Sequence, residues 1–468
     1  MTHPFDIPAS WAWTTLGEIA DVVGGVTKDA KRQEDPSFVE VPYLRVANVQ
    51  RGYLDLSNVL SIRVPPQKAV ALKLSRGDVL LNEGGDRNKL GRGWVWDEQI
   101  EDCIHQNHVF RARIRQRVLE PRLLAHFANG IGQRWFEQNG LQSVNLASIS
   151  LATMKRFPVP VPPLGEQGRI IAALEERLSR LASAESSVRS ALRRLSVLRA
   201  AAVTQLVDAS DAPLRGLISL LDGKMINGKS VPTQPGGFPV LRLTALQDGL
   251  VDLGQSKEGA WDAAAAAPYL VRRGDFLVGR GNGSIHLVGR GALVASDPYP
   301  VAFPDTMIRV RTDSTKIRQE YLAIIWNSRY VRRQIESKVR TTAGIYKINQ
   351  SLLGEIQIPV PQLGEQDEIV SRWRSTASAI DRLSGSVRVA ARRASSLRSS
   401  VLTQAFVGRL VPQDPEDEPA SELLARIQAE RATAAPKQKA RATRTRKELA
   451  APPTRVTGDN YQQEALPL

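Results

Sequence analysis

The 468-residue chain carries 63 Lys and Arg against 48 Asp and Glu, a formal net charge of +15, and 42% of its residues are hydrophobic. That composition excludes a disordered chain, and the length predicts about three domains. The single cysteine, Cys103, excludes an intramolecular disulfide; no apolar run approaches the ~20 residues of a membrane span, and residues 1–13 lack a secretory signal pattern, so a cytoplasmic protein with no membrane partner is expected. The excess of positive charge predicts an acidic partner, foremost nucleic acid.

Short apolar or β-branched runs at 43–49, 78–81, 94–96 and 109–114 alternate with Gly-, Asn- and Pro-bearing turns, which predicts an α+β domain with substantial sheet over residues 1–163. A long helix is expected over 164–211. Its seam is Ile171, Leu174, Leu178, Leu181, Val188, Leu192, Leu195, Ala202 and Leu206, at alternating spacings of three and four. At 1.5 Å per residue such a helix is ~60 Å long, the length of a spacer. A second domain is expected over 212–362 and a second helix over 363–408. The second seam keeps the register with Val370, Trp373, Ala377, Ile380, Val387, Ala391, Ala394 and Val401. A Leu-rich seam and an Ala-rich one predict mutual packing, led by Leu174, Leu178, Leu181, Leu192, Leu195, Trp373, Ile380 and Val387. Glu185 and Arg199 interrupt the first seam, Ser384 and Arg398 the second; such residues either fix register or snorkel to solvent. Residues 409–468 begin acidic and Pro-rich (VPQDPEDEP), offer one short helix over 421–432, and continue as a basic stretch in which residues 431–447 hold seven Lys or Arg and no acid. This extension is expected to be mostly disordered.

The chain repeats itself at an offset of 197 to 199 residues. Residues 159–167 read VPVPPLGEQ and 358–366 read IPVPQLGEQ; Leu198-Arg199 with Thr204-Gln205 recurs as Leu397-Arg398 with Thr403-Gln404. Upstream, Arg76-Gly77-Asp78 matches Arg273-Gly274-Asp275, Gly91-Arg92-Gly93 matches Gly289-Arg290-Gly291, and Arg111-Ala112-Arg113 matches Arg309-Val310-Arg311. Each unit is thus a variable domain followed by a segment of fixed length.

Residues 223–230 (GKMINGKS) fit the phosphate-loop pattern G-x-x-x-x-G-K-S, but VPTQPGG follows where that motif needs a helix, so a turn is expected there. Cys103, His105 and His108 lack the spacing of a four-ligand zinc site, and no second cysteine exists. No catalytic motif set is present, and no catalytic, cofactor or metal residue is assigned. What remains is a wealth of side chains suited to base edges: Arg or Lys for guanine, Asn or Gln for adenine, Glu for cytosine. The first domain offers Asn82, Glu83, Asp86, Arg87, Asn88, Lys89 and Arg92 with His105, Gln106, Asn107 and His108; the second offers Arg280, Asn282, Ser284, His286 and Arg290 with Tyr346, Lys347 and Asn349. Any one of these side chains could merely brace a turn. Their occurrence at matching places in two diverged copies favours DNA reading.

The two PxPxLGEQ segments, each opening a long helix, together with Leu16-Gly17-Glu18, Gly24-Gly25, Gly77-Asp78, residues 82–93 (NEGGDRNKLGRG), residues 402–406 (LTQAF) and Gly408-Arg409-Leu410, resemble the DNA-specificity subunit of Type I restriction-modification enzymes. The resemblance covers all but the basic tail. It implies two repeated α/β target-recognition domains, each reading one half of a split double-stranded DNA site, separated by two long antiparallel coiled-coil helices. It further implies two modification subunits docked on the helices, with restriction subunits able to join. Adenine N6 methylation and cleavage, with S-adenosylmethionine, ATP and Mg, would then belong to those partners. A standalone two-domain DNA-binding regulator is the alternative. Because the tail from Arg431 onward has the composition of a non-specific DNA attractor, its deletion should leave the methylated motif of the host genome unchanged. Sequencing of methylated positions checks this, and a changed motif would refute it.

Overall fold

The computed structural model describes residues 5–29, 31–142, 147–208, 212–247, 249–342 and 344–434; the basic tail lies beyond them. Two compact units emerge, one formed by Met1–Ile171 with Gln404–Leu468 and the other by Ala172–Thr403. The two domains share one architecture. In the first, a four-stranded antiparallel sheet runs in the order Ala20–Val23, Val109–Ile114, Val79–Asn82, Gly93–Val95; in the second, Ile226–Asn227, Met307–Val310, Phe276–Gly279 and Gly291–Leu293 take the same order within a six-stranded sheet that continues, through a parallel pairing, to Leu250–Val251 and Leu246–Gln247. Beside each sheet lies a three-stranded ribbon: Gly84–Gly85, Ala147–Ser148 and Leu141–Gln142 in the first domain, and Gly281–Asn282, Ile345–Lys347 and Arg340–Thr342 in the second.

The repeated Gly-Asp and Arg-x-Arg motifs meet across the sheet. Gly77 and Gly274 adopt φ of +89° and +88°, a left-handed turn that glycine enters without steric cost. The next residue, Asp78 or Asp275, is buried. Asp78 accepts from the Ser75 amide and, through both oxygens, from Arg113 at 2.7 and 2.8 Å. Asp275 accepts from the Arg272 amide and from Arg311 at 2.5 and 3.1 Å. The first arginine of each motif, on the same face of the strand, holds backbone carbonyls: Arg111 donates to those of Ala71 and Lys73, Arg309 to those of Pro268 and Leu270. The third motif glycine is dictated by space. A Cβ on Gly93 would sit 1.9 Å from the Leu80 carbonyl oxygen, and one on Gly291 2.2 Å from the Phe276 ring. Asn129 and Asn327 each clamp that glycine's backbone, donating to its carbonyl and accepting from its amide.

The repeated LGEQ opens the two long helices, Leu164–Asp208 and Leu363–Phe406. Its glutamine is a buried fastener. Gln167 donates to the Val118 and Pro162 carbonyls and accepts from the Glu120 amide; Gln366 donates to those of Lys316 and Pro361 and accepts from the Arg318 amide. Within the second unit the two helices run antiparallel, and the residues of the expected seam are less exposed than most of their neighbours. Leu174, Leu178, Ile380 and Ala394 are buried, while Leu181, Leu192, Leu195, Trp373 and Val387 are half-buried between exposed neighbours. The polar interruptions pair across the seam. Arg398 reaches Glu185 at 3.4 Å, and Arg199 reaches Asp381 at 2.8 Å while lying over the Trp373 ring. They pair with the facing helix rather than run unpaired into solvent.

The phosphate-loop lookalike is built as expected of a turn region, with the short strand Ile226–Asn227 inside it and the extended Thr233–Leu241 after it. The helix expected over 421–432 spans Ala420–Ala434 and buries Ala420, Leu423 and Ile427 in the first unit. The acidic stretch before it docks by Arg169 on Asp417 and by Gln413, which with Trp11 donates to the buried Glu166. Burial raises the pKa of that carboxyl despite those two hydrogen bonds. Among the described residues, no helix is long and apolar enough to cross a membrane.

Removing one member of a pair whose other member is held below the surface leaves an uncompensated charge. Arg113→Ala and Arg311→Ala, which strand the buried carboxylates of Asp78 and Asp275, should therefore each destabilise the protein by about 3 kcal/mol, read as a lowered urea midpoint. An unchanged midpoint in both would show that the pairs do not hold the sheets.

Candidate nucleic-acid interface

The sheet and its ribbon bring together the polar clusters that the sequence scatters. In the first domain the Glu83 amide donates to the His108 carbonyl, and the Glu83 carboxylate lies 2.9 Å from His108 Nδ1. This joins residues 82–89 to 105–108. In the second, Gly281 pairs with Lys347 and Asn282 with Tyr346, and the Ile348 amide donates to the Arg280 carbonyl. This joins residues 280–286 to 346–349.

Not every member of these clusters faces out. Asn82 is fully buried and donates from Nδ2 to the Val49 carbonyl at 2.9 Å. His105 is also fully buried, its Nδ1–H donating to the Val109 carbonyl at 2.7 Å. Burial pulls its pKa down to about 4, helped by nearby Arg111. These two side chains serve the fold, because the strand ends that carry them point inward. Arg92 is half-buried and reaches the Val46 carbonyl, and Gln106 continues the sheet through its amide to Leu44. Cys103, His105 and His108 go separate ways: the Cys103 thiol is buried and pushed up to about 12, whereas His108 takes Glu83.

The outward set in the first domain is Asp86, Arg87, Asn88 and His108, with Lys89 paired to Asp86. Arg87 donates from Nε to the Glu137 carbonyl at 3.0 Å, and Asn107 lies 3.4 Å from His108 Nε2. In the second domain His286 and Arg290 are exposed, with His286 Nδ1 3.2 Å from Glu336. Arg280 and Ser284 are half-buried; the Asn282 side chain accepts from the Ser284 amide, and Asn349 caps the short helix after it by accepting from the Leu352 amide. Tyr346 packs on the domain core, whereas Lys347 is exposed. Sequence reasoning missed Glu336 and Arg332, which brace the second loop, and Arg340 on the ribbon. Arg332 donates to the Val288, Ile285 and His286 carbonyls. The β-branched pair Thr341-Thr342, with Gly344 shortly after it, is the available signal for the ribbon strand.

The chain is thus a duplicated protein: two domains of one fold, each presenting a loop and a ribbon of polar side chains and each followed by a long helix. Residues 8–184 match the Type I restriction modification DNA specificity domain. The StySPI specificity subunit of Salmonella potsdam is 26% identical over 93% of this chain and 98% of its own length. The EcoKI specificity subunit of Escherichia coli K12 is 25% identical over the same shares. A solved chain from work on complex assembly and conformational transition of the type I R-M system covers 87% of this chain and 100% of its own with a TM-score of 0.66 at 17% identity, a likeness of fold. The chain is therefore similar over nearly its whole length to Type I restriction enzyme specificity subunits, and its first domain matches their family model.

Because His105 is held neutral below its unfolded pKa of about 6.5, the unfolded chain binds the extra proton as pH falls. Its contribution is therefore whole above pH 6.5 and declines toward pH 4, by about 3 kcal/mol in total. His105→Gln should flatten this part of the stability profile between pH 7 and 4. An equally steep decline in the variant would contradict the assignment.

Proposed function

We propose that this subunit supplies the address of a Type I restriction-modification complex: each domain reads one half of a bipartite duplex target, and the long helices dock two modification subunits. The observation that carries this is the repetition itself. One loop-and-ribbon scaffold occurs twice with different polar side chains reaching its surface, the exposed Arg87, Asn88 and His108 on one copy, the exposed His286 and Lys347 and the half-buried Arg280 on the other. A two-part site read with different bases in each part requires that combination. The excess of positive charge draws the duplex, and contacts to base edges discriminate.

The helix pair buries one stripe of each helix and leaves charged faces open, which suits a platform for partner subunits. Methyl transfer with S-adenosylmethionine, and any cleavage driven by ATP and Mg, belong on this reading to the modification and restriction partners. The outward polar groups here hold and read DNA.

Modularity is the test. Arg87→Ala with His108→Ala should relax base preference in one half-site alone, and Arg280→Ala in the other alone, each base-reading side chain supplying about 1–3 kcal/mol of discrimination. Methylated-base sequencing of cells carrying each variant decides it. Relaxation of both halves by one variant would overturn the two-reader proposal.

A further inference from the structure

Each ribbon has an inner and an outer face, because neighbouring residues of a strand point to opposite sides. In the second domain Tyr346 packs on the core. The adjacent row across the three strands, Gly281, Lys347 and Arg340, therefore faces outward, together with Ile345, which is 45% exposed. In the first domain the buried Ala147 marks the inner face, and the matching outer row is Gly84, Ser148 and Leu141, the last 74% exposed. The same three lattice points thus keep a glycine and exchange a hydroxyl and an apolar side chain for two cations.

Lys347 and Arg340 stand directly opposite one another in an antiparallel pair, an arrangement that disfavours the ribbon. Both are exposed, and neither has an ion-pair partner among the described residues. The first domain builds the same ribbon without them, so the fold does not need the pair. A ligand rich in acceptor atoms does. We propose that the outer face of the ribbon meets the duplex, and that in the second domain Arg340 and Lys347 donate together to electronegative DNA atoms, guanine O6 and N7 or phosphate oxygens. The glycine at the edge of each row keeps that edge flat for close approach. In the first domain Leu141 presents an apolar contact of the kind a thymine methyl accepts. This rests on the specificity-subunit reading and adds Arg340, Leu141 and Ser148 to its readers.

The experiment uses the full subunit assembled with its modification partners and the duplex carrying the motif that the wild-type assembly methylates. Arg340→Ala/Lys347→Ala is compared with a control that removes two exposed cations elsewhere, Arg215→Ala/Lys224→Ala. The ribbon variant should bind roughly tenfold to a hundredfold more weakly than the control, with an unfolding midpoint equal to or above that of wild type. If the pair reads guanine, the methylated motif relaxes at a guanine of one half-site. If it holds phosphate, the motif is kept and the log–log salt dependence becomes shallower by about one unit for each phosphate no longer neutralised. Affinity within twofold of the control overturns the proposal alone. A wild-type assembly that marks no split motif overturns the specificity-subunit reading and this proposal with it.

Discussion

The buried glutamine at the start of each long helix is the constraint on which the architecture rests. Gln167 and Gln366 are each closed in on all sides and spend both ends of the amide on backbone groups of the preceding domain. A buried amide is costly unless its hydrogen bonds are made. These three bonds therefore admit one placement of helix start against domain, and the proline-rich strand before it arrives already paired: Ala12–Thr15 with Pro158–Val161 in one copy, Leu214–Gly216 with Gln357–Pro359 in the other. The two flanking acids diverge. Glu166 is buried under Trp11 and the C-terminal segment, whereas Glu365 is exposed. Only the glutamine does the same work twice.

From that fixed start the helices carry geometry, and the domains carry identity. The fixed length between LGEQ and the Thr-Gln pair is what an uninterrupted helix demands, since one residue more or less would rotate the seam by about 100°. Glu185 with Arg398, and Arg199 with Asp381 and Trp373, then choose one antiparallel register among those that a Leu and Ala seam would tolerate. In the domains the buried Asp–Arg pairs and the glycine clamped by Asn129 or Asn327 hold the sheets alike, which leaves the loop and ribbon free to differ.

Much of this was legible in the sequence. Periodicity gave the seam residue by residue, because a long helix repeats its signal many times. The repeat picked out Asp78, Asp275 and their arginines as matched positions, though not as partners, since pairing across a sheet is invisible to spacing. Inward and outward directions in the reading loops were the weak point. Strands of two residues carry no alternation to read, so the sequence offers Asn82, His105 and Tyr346 to bases, whereas the fold buries the first two and packs Tyr346 partly against the core. The docking of 413–427 on the first unit was equally hidden: the sequence shows a helix at 421–432, but its apolar stripe, Leu423 and Ile427, names no receiving surface.

Amide hydrogen exchange at Glu120 and Arg318 tests the central claim most directly. Both amides sit at the entrance of a helix, without a backbone acceptor, and donate to Gln167 and Gln366 respectively. The account predicts that both exchange as slowly as the core strands, that Gln167→Ala releases the Glu120 amide alone, and that Gln366→Ala releases the Arg318 amide alone. Loop-like exchange at these amides in the unaltered protein would contradict it.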